Sequence, residues 1–414
     1  MWVRKRIDIR SSDHAFGVLR CCLPANRRLL AKQVEAQFRS DDAVVCLSVR
    51  SGFDLLLNEL DLTDDSEVLI SAITIPDMVK IVQHHGQVAV PVDLHPDNLA
   101  PQLEVLRKAV NDKTKVIVVA HLFGGRIDME PIIELAREHD LIVVEDCAQA
   151  FDGGNYLGHP DSDVVMFSFG PIKTSTALGG ALIRIRDQRL RDRVRRAQSE
   201  FPIQKRRAYL GRLLKYWGLR TVSTRPFYTL MARVFSWLGI SLDRVANGSV
   251  RGFSGPNFFR RIRRQPCAPL LAMMLRRLRQ FDDNRLALRT SNGKLLVDQL
   301  EPYIASPGSA ADPHSFWLVP IVLDNPLRAI EVLAEHGFDA TQGQSLCVVE
   351  PPAGREERAA LDAEELMSKI IFLPCYPRMP KHVLEKLVAV LVEHDEFHGY
   401  TIRSTEPEPL QAVS

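Results

Sequence analysis

Apolar and polar positions follow two different patterns along this chain. Between about residues 43 and 188, short apolar runs rich in Val, Ile and Phe alternate with segments whose apolar positions repeat at helical spacing. Runs of this kind are typical of strands that are buried on both faces. Strands are predicted in this way at residues 43–49, 67–71, 87–92, 115–120, 143–146, 166–169 and 181–183.

Strands that alternate with helices predict a mainly parallel sheet with right-handed crossovers. The predicted fold class is therefore α/β, with a large domain built on a mainly parallel seven-stranded sheet flanked by helices, and a smaller C-terminal α+β domain. The predicted divisions are an N-terminal arm (1–40), the large domain (41–188), a helical insertion (189–264), the small domain (265–400) and a polar tail (401–414).

The predicted insertion differs in composition from the segments on either side of it. Its aromatic and aliphatic residues are interleaved with Arg and Lys at helical spacing, which predicts basic amphipathic helices. A face of this kind can make peripheral contact with an anionic membrane surface through residues 205–240. The alternative is a helical cover that packs on its own domain or on a dimer partner.

The overall charge gives no support to nucleic-acid binding, because 53 Lys and Arg residues are balanced by 51 Asp and Glu residues. The seven cysteines are odd in number and form no CxxC pair, which favours reduced thiols over a disulfide framework or a metal site. No secretion signal and no uncharged run of ~20 residues is found. A cytoplasmic protein is predicted, with contact at the inner membrane face as the extension that the insertion suggests.

Candidate chemistry lies where two neighbouring apolar runs end. Asp146 ends one run, and Ser168 and Lys173 follow the next. In open α/β sheets, ligands bind at the carboxyl ends of the strands. A carboxylate, a lysine and a hydroxyl are the minimum set for pyridoxal phosphate, since the lysine forms the Schiff base, the acid pairs with the pyridinium nitrogen and the hydroxyl holds the phosphate. The alternative interpretation is a surface lysine and a strand-end cap.

Two segments carry a resemblance to a known family, namely Glu145-Asp146-Cys147-Ala148-Gln149-Ala150 and Phe167-Ser168-Phe169-Gly170-Pro171-Ile172-Lys173. They resemble the signature of the DegT/StrS sugar aminotransferases, a branch of the fold-type I pyridoxal phosphate enzymes. The similarity runs from about Ser51 to Asp187 and resumes at about Arg264. Dehydratases on this fold carry His at the lysine position, so Lys173 favours transamination.

The resemblance implies pyridoxal 5'-phosphate as cofactor and Lys173 as the catalytic residue. It further implies that an amino group passes, with glutamate as donor, to a keto group of a sugar nucleotide or a related polyol. The enzyme would be a homodimer in which each active site is built partly from the neighbouring subunit.

The resemblance also implies further cofactor contacts. Ser51, Gly52 and Phe53 would lie at the phosphate, where a Ser-Gly turn that opens a helix offers backbone N–H groups. Ile75 would lie at the ring and Gln149 near the ring hydroxyl. Phe53 replaces the usual threonine and Ile75 the usual aromatic residue, which leaves these two contacts in doubt.

Three residues are predicted to contact substrate: His121, Arg264 and His314. His121 matches the family's strand-end histidine, although a structural role is the alternative. If Arg264 aligns with the family's arginine, Ile262 replaces the asparagine that reaches across the dimer. Residues 341–345 replace the family's His-Tyr-Pro segment.

Two rival hypotheses remain open at the level of the sequence. One is a non-catalytic regulatory or binding protein of the same fold, at a membrane. The other is a pyridoxal phosphate enzyme that acts on a lipid-linked or carrier-linked amine. The missing threonine, aromatic and asparagine contacts favour the first rival, whereas the combination of Asp146, Gln149, Ser168 and Lys173 argues against it.

Overall fold

The computed structural model describes residues 1–3, 7–38, 41–222, 257–343 and 345–398. Its helices are α1 (Ser11–Cys22), α2 (Arg27–Glu35), α3 (Val49–Glu59), α4 (Pro76–His84), α5 (Leu103–Ala109), α6 (Glu130–Glu138), α7 (Gln188–Glu200), α8 (Arg206–Val222), α9 (Phe258–Ile262), α10 (Ala268–Arg279), α11 (Asp283–Leu300), α12 (Pro326–Glu335), α13 (Leu361–Lys369) and α14 (Lys381–Val392). Its strands are β1 (Ala43–Cys46), β2 (Glu67–Ser71), β3 (Ile73–Thr74), β4 (Val88–Val92), β5 (Thr114–Ala120), β6 (Ile142–Asp146), β7 (Val164–Ser168), β8 (Ala181–Ile185), β9 (Val319–Val322), β10 (Cys347–Val348) and β11 (Ile370–Leu373).

The main sheet has seven strands in the order β1-β8-β7-β6-β5-β2-β4. The pairs from β7 through β6, β5 and β2 to β4 are parallel, and β8 pairs antiparallel with both β7 and β1. The predicted mainly parallel, seven-stranded sheet is confirmed. Because β5, β6 and β7 run in the same direction, their carboxyl ends at Ala120, Asp146 and Ser168 lie at one edge of the sheet.

Helices cover both faces of this sheet. One apolar cluster joins the sheet to α3, α4 and α7, with Phe53 and Ile183 fully enclosed. A second cluster joins the opposite face to α2, α8 and α10, with Phe167 and Tyr209 at its centre. The sheet is therefore apolar on both sides, and its polar chemistry is confined to the strand ends.

Helix α8 is the described part of the segment predicted to contact a membrane, and residues 223–240 lie outside the described residues. Tyr209 and Leu213 of α8 are fully buried, and the Tyr209 hydroxyl donates to Ala177 O at 2.8 Å. Its outer side exposes Leu214 and Trp217. This helix thus covers its own domain and also presents an exposed apolar side. Within the described ranges, no helix is long and apolar enough to cross a bilayer.

The C-terminal part of the chain has a separate apolar cluster formed by the antiparallel pair β9 and β11 and by helices α11, α12 and α14. Strand β10 pairs with β3, which ends one residue before Ile75. Strand β9 begins at Val319, and residues 314–317 precede it as a connecting segment. This segment contacts the loop after β5 through a bridge between His314 and Gly125 and through Ser315 N–H, which donates to Gly124 O at 2.7 Å. The predicted polar tail from residue 401 lies outside the described residues.

Candidate active site

Lys173 lies on the loop after β7, where its N–H donates to Gly170 O at 3.1 Å. Its Nζ is 4.3 Å from the centroid of the Trp317 ring. Burial lowers the pKa of Lys173 to about 8; the Asp146 carboxylate opposes this change and the Arg50 guanidinium adds to it. A lysine in this state has a substantial neutral, nucleophilic fraction near neutral pH.

Asp146 lies at the carboxyl end of β6, next to the strand that leads to Lys173. Its Oδ1 accepts a hydrogen bond from Ala148 N–H at 2.9 Å. Burial raises the pKa of Asp146, while that hydrogen bond and the charge of Lys173 act in the opposite direction. The predicted acid and lysine therefore lie within electrostatic reach of each other.

Gln149 and Ser168 are half-buried at the same edge of the sheet. Gln149 Oε1 accepts from Phe123 N–H at 2.9 Å, which ties it to the loop after β5. Its amide nitrogen has no hydrogen-bond partner in the described part of the chain and can donate to a ligand. Ser168 Oγ accepts from Gly170 N–H at 3.4 Å, so its hydroxyl proton is also available.

The predicted phosphate turn is displaced. Helix α3 begins at Val49 rather than Ser51, because Ser48 caps it and its Oγ accepts from Ser51 N–H at 3.2 Å. Gly52 N–H donates to Ser48 O at 3.1 Å. The backbone donors expected from Ser51 and Gly52 are therefore already used, and an anion would meet the remaining N–H groups of the first turn.

The side-chain environments of Gly52, Phe53 and Ile75 follow from packing. A Cβ on Gly52 would lie 1.5 Å from Ile183 Cδ1, so glycine is required where α3 crosses β8. Phe53 is fully buried in the apolar cluster between α3 and the sheet. The predicted contact of its side chain with the cofactor is therefore not possible in this position. Ile75 is half-buried directly before α4 and can offer an aliphatic contact.

Arg50 is a candidate site residue that the sequence did not reveal. It lies in the first turn of α3, and its Nε donates to Asp77 Oδ2 in the first turn of α4. Its charge acts on both Lys173 and Asp146. A cation at the N-terminus of a helix opposes the helix dipole. That combination, directly before Ser51, is the signal that could have indicated an anion at this position.

His121 is not placed to contact substrate. It is fully buried, its Nε2 lies 2.8 Å from Glu145 Oε1, and its Nδ1 accepts from Ile127 N–H at 3.2 Å. Both ring nitrogens are therefore used within the fold. His121, Glu145 and Cys147 bring ligand-type atoms within 4.8 Å of one another, but His121 and Glu145 form a hydrogen-bonded pair there.

The segment around Arg264, which was predicted to contact the neighbouring subunit, makes several contacts within its own subunit. Ile262 is fully buried, so it cannot take the place of the family's asparagine. Arg263 binds Asp54 of its own subunit through two hydrogen bonds of 2.9 Å. Arg264 is half-buried and donates to Arg260 O at 3.3 Å. Asn257, which begins this segment with a φ of 70°, remains exposed.

His314 lies on the connecting segment 314–317, which contacts the loop after β5. Its Nδ1 accepts from Phe316 N–H at 2.9 Å. Burial lowers the pKa of His314 to about 4, and the nearby Arg289 charge contributes. The imidazole is therefore neutral near pH 7. In the same segment, it is the side chain of Trp317 that contacts Lys173.

Two curated proteins are similar in sequence to part of this chain. GDP-perosamine synthase of Escherichia coli O157:H7 is 35% identical over 144 residues, which cover 34% of this chain and 39% of that protein. The dTDP-3-amino-3,4,6-trideoxy-alpha-D-glucose transaminase of Streptomyces venezuelae is 32% identical over 185 residues, 42% of this chain and 48% of that protein. The matched regions thus span less than half the length of these curated relatives.

Two solved structures show the same fold over nearly the whole chain. DesV of S. venezuelae, solved with a ketimine intermediate, has a TM-score of 0.64 at 20% identity and covers 92% of this chain and 94% of its own. GDP-4-keto-6-deoxy-D-mannose-3-dehydratase of E. coli, solved with hydrated PLP, has a TM-score of 0.68 at 16% identity and covers 94% and 99%. These likenesses confirm the predicted fold class.

A family model provides the most extensive sequence match. The model of the DegT/DnrJ/EryC1/StrS aminotransferases matches residues 25–392, which include the strands, the loop with Lys173 and the C-terminal helices. The match extends the resemblance seen in the two short motifs to most of the chain. That resemblance is confirmed, and the chain belongs to the DegT/DnrJ/EryC1/StrS aminotransferase family.

Proposed function

We propose that this protein is a pyridoxal phosphate-dependent aminotransferase that moves an amino group, with glutamate as donor, to a keto group of a sugar nucleotide or related polyol. The observation that carries the proposal is a half-buried lysine, with a pKa lowered to about 8, within electrostatic reach of a half-buried aspartate at the adjoining strand end. Lysine and aspartate in this arrangement are the groups that pyridoxal phosphate needs from a protein.

The donor set of the site fits this cofactor. Lys173 Nζ would hold it covalently, Asp146 would pair with the ring nitrogen, and Gln149 would donate to the ring hydroxyl. Ser168 and the first turn of α3 would receive the phosphate, with Arg50 supplying a charge where the family's threonine supplies a hydroxyl. When bound, the cofactor supplies an electron sink for the bond that breaks at the substrate carbon.

Lys173 then has two tasks that its surroundings support. Its neutral fraction near pH 8 allows it to attack a carbonyl carbon. When the amino donor has displaced it, the free Nζ can move a proton from the substrate carbon, as a general base matched to neutral pH. The Trp317 ring, whose centroid lies 4.3 Å from Nζ, packs against one side of the amine.

The acceptor and the assembly are part of the proposal. The named relatives act on nucleotide-linked sugars, and Lys173 stands where the dehydratases on this fold carry His. A homodimer would bring the exposed Asn257 to the neighbour's phosphate. Because residues 341–345 depart from the family's substrate segment, we expect an acceptor that is recognised differently.

An absorption spectrum tests the proposal. Purified protein with added pyridoxal phosphate should show a visible band from the lysine-bound cofactor. Borohydride should fix the label on Lys173, and L-glutamate should bleach the band. Lys173→Ala should abolish the band, whereas Lys294→Ala, an exposed lysine on α11, should keep it. A wild-type protein without a band would support the non-catalytic alternative, which the burial of Phe53 and Ile262 favours.

Membrane contact through residues 205–240 is a second proposal, favoured by the exposed Leu214 and Trp217 beside Lys215 on α8. Protein with these residues removed should sediment less with anionic liposomes than the full chain, with the visible cofactor band as the check on folding. Equal sedimentation of the two proteins would exclude this surface. The same contact would bring a lipid-linked acceptor to the enzyme.

A further inference from the structure

A cavity of about 220 Å³ borders Lys173 on the side that faces the C-terminal region. Its wall is formed by the N-terminal residues 7–10, the loop 172–175, Arg220 of α8, the adjoining parts of α10 and α11, Trp317 and residues 375–378. Asp146, Gln149 and Ser168 do not line it. The cavity is therefore the space beside the lysine that the proposed cofactor contacts do not use.

Three arginines of the cavity wall are neutralised by carboxylates. Arg10 pairs with Asp282 at 2.9 Å, Arg277 with Asp13 at 3.0 Å and Arg285 with Asp8 at 2.5 Å. These ion pairs connect the N-terminal arm to α10 and α11, so they account for the shape of the cavity. They leave little net charge of their own.

Arg289 is different, because its side chain is buried and has no carboxylate partner among the described residues. It is 9% exposed, its Nε donates to Ser315 O at 2.7 Å and its Nη1 donates to Thr174 Oγ1 at 3.2 Å. Both acceptors are neutral, and Nη2 has no hydrogen-bond partner in the described ranges. The Asp8 carboxylate acts on Arg289 electrostatically, but Asp8 is paired with Arg285. Because a buried cation without a paired anion is costly, Arg289 is suited to bind an anionic ligand.

Arg378 is the second cation without a carboxylate. It is exposed at the rim of the cavity, and within the described parts of the chain it forms no ion pair. Arg220 of α8 also lines the cavity. Arg289, buried next to Thr174, and Arg378, at the opening, are the two wall arginines available to a ligand anion, since neither forms an ion pair within the described residues. Guanidinium forks suit carboxylate oxygens.

We propose that this cavity is the amino donor subsite and that Arg289 and Arg378 hold the two carboxylates of a dicarboxylic amino acid. The inference rests on the proposed function. Arg289 donates to Thr174, the residue that follows Lys173. A carboxylate bound to Arg289 would therefore be the donor's α-carboxylate, next to the carbon that carries the amine. Arg378 then receives the distal carboxylate, so a dicarboxylic donor should be preferred over one with a single carboxylate.

The donor half-reaction tests this subsite without knowledge of the acceptor. The rate at which L-glutamate bleaches the cofactor band is measured against glutamate concentration in cofactor-loaded protein. Arg378→Ala should raise the half-saturating concentration about ten- to a hundredfold, since one charge-assisted contact is lost. L-alanine, which lacks the distal carboxylate, should react equally with both proteins. Lys294→Ala, on the same helix as Arg289 but outside the cavity wall, should behave as wild type.

A second measurement distinguishes failure of the subsite from failure of the proposed function. Calorimetry of 2-oxoglutarate with cofactor-free protein should show binding that Arg378→Ala and Arg289→Met weaken, with thermal melting as a check that Arg289→Met folds. An unchanged glutamate dependence in Arg378→Ala overturns the assignment. If these variants weaken the binding of UDP but not of 2-oxoglutarate, the assignment is also overturned, because the cavity would then serve the acceptor. If no band forms but 2-oxoglutarate binding follows Arg378, the dicarboxylate site stands without the aminotransferase.

Discussion

Glu145 and Asp146 are neighbouring carboxylates on β6, yet their surroundings are opposite. Successive side chains of a strand point to opposite faces. Glu145 is fully buried and accepts hydrogen bonds from His121, Tyr156 and Ser162, with oxygen distances of 2.5 to 2.8 Å. Asp146 accepts one backbone hydrogen bond and faces the charges of Lys173 and Arg50. One carboxylate holds the fold together, and the other is left for a ligand.

The difference is visible in the pKa of each group. Burial alone would raise the pKa of Glu145, but hydrogen bonds from His121, Tyr156 and His159 N–H outweigh burial and lower it to about 2. For Asp146 burial prevails, and its pKa is raised. A carboxylate that is fully satisfied contributes to stability, whereas one that is incompletely satisfied is held at a cost that ligand binding can offset.

The largest effect is expected for Glu145→Gln. Glutamine keeps the shape of the side chain but loses the negative charge that hydrogen bonds with His121 and Tyr156 stabilise. Breaking a buried charged network should lower the free energy of unfolding by about 3–5 kcal/mol. Urea and thermal midpoints measure this loss. Asp146→Asn is the matched control and should leave the midpoints unchanged or slightly raised, so equal losses in the two variants would contradict the comparison.

The same contrast should appear in acid. The folded pKa of Glu145 is below its ordinary value, so its contribution is complete above about pH 4.5 and is lost as the pH falls toward 2. The pKa difference corresponds to about 3 kcal/mol. Glu145→Gln should therefore flatten the decline of stability between these pH values. The raised pKa of Asp146 has the opposite sign, and Asp146→Asn should make that decline steeper.

The second effect concerns rate rather than stability. Asp146→Asn removes the negative charge expected at the ring nitrogen and should slow bleaching of the cofactor band by L-glutamate about 10²- to 10³-fold, the usual result of losing one preorganised electrostatic partner. Stopped-flow absorbance at saturating glutamate measures it. A variant that bleaches at the wild-type rate would show that Asp146 is a cap on the strand end.

Much of this architecture could be predicted from the sequence because it depends on short-range patterns. The apolar runs that became β2, β5, β6 and β7 were each long enough to predict a buried strand, and their order predicted a shared edge. Alternation along β6 also predicts that Glu145 and Asp146 face apart. The sequence does not predict which of these two carboxylates points toward the ligand, because this depends on contacts with His121, Tyr156 and Ser162, which are distant in sequence.

The parts that could not be predicted depend on packing between distant segments. Helix α3 begins two residues before the predicted Ser51, because Ser48 caps it. Position 52 has no room for a side chain, because Ile183 of β8 packs against it. Ile262 belongs to the apolar cluster that joins the sheet to α3, and its neighbour Arg263 binds Asp54. The position of Arg50 at the start of α3 is a weak local signal, and its role depends on the contact with Asp77 and on its charge acting on Lys173. The other contacts leave no local pattern.

A third effect tests whether Arg50 belongs with Asp146 on the ligand side of β6. Arg50→Ala should weaken binding of pyridoxal phosphate about tenfold, the lower range for a charged hydrogen bond. Pyridoxal, which lacks the phosphate, should bind both proteins equally. Asp77→Asn should give a smaller loss, since it loosens Arg50 without removing it. Equal losses for both ligands would place Arg50 at the ring or in the fold instead.

The smallest effect concerns how Asp146 sets the chemistry of Lys173. Cofactor capture needs the neutral amine, so its rate in the wild type should rise with pH and level off near the Lys173 pKa of about 8. The Asp146 carboxylate raises the pKa of Lys173, so Asp146→Asn should lower it further. Capture at pH 7 should then become faster, by about tenfold at most. Glu145→Gln, whose charge lies on the opposite face of β6, should leave the pH profile unchanged. If both variants moved the profile alike, the two faces of the strand would not be electrostatically separate, and the distinction between a structural and a chemical carboxylate would fail.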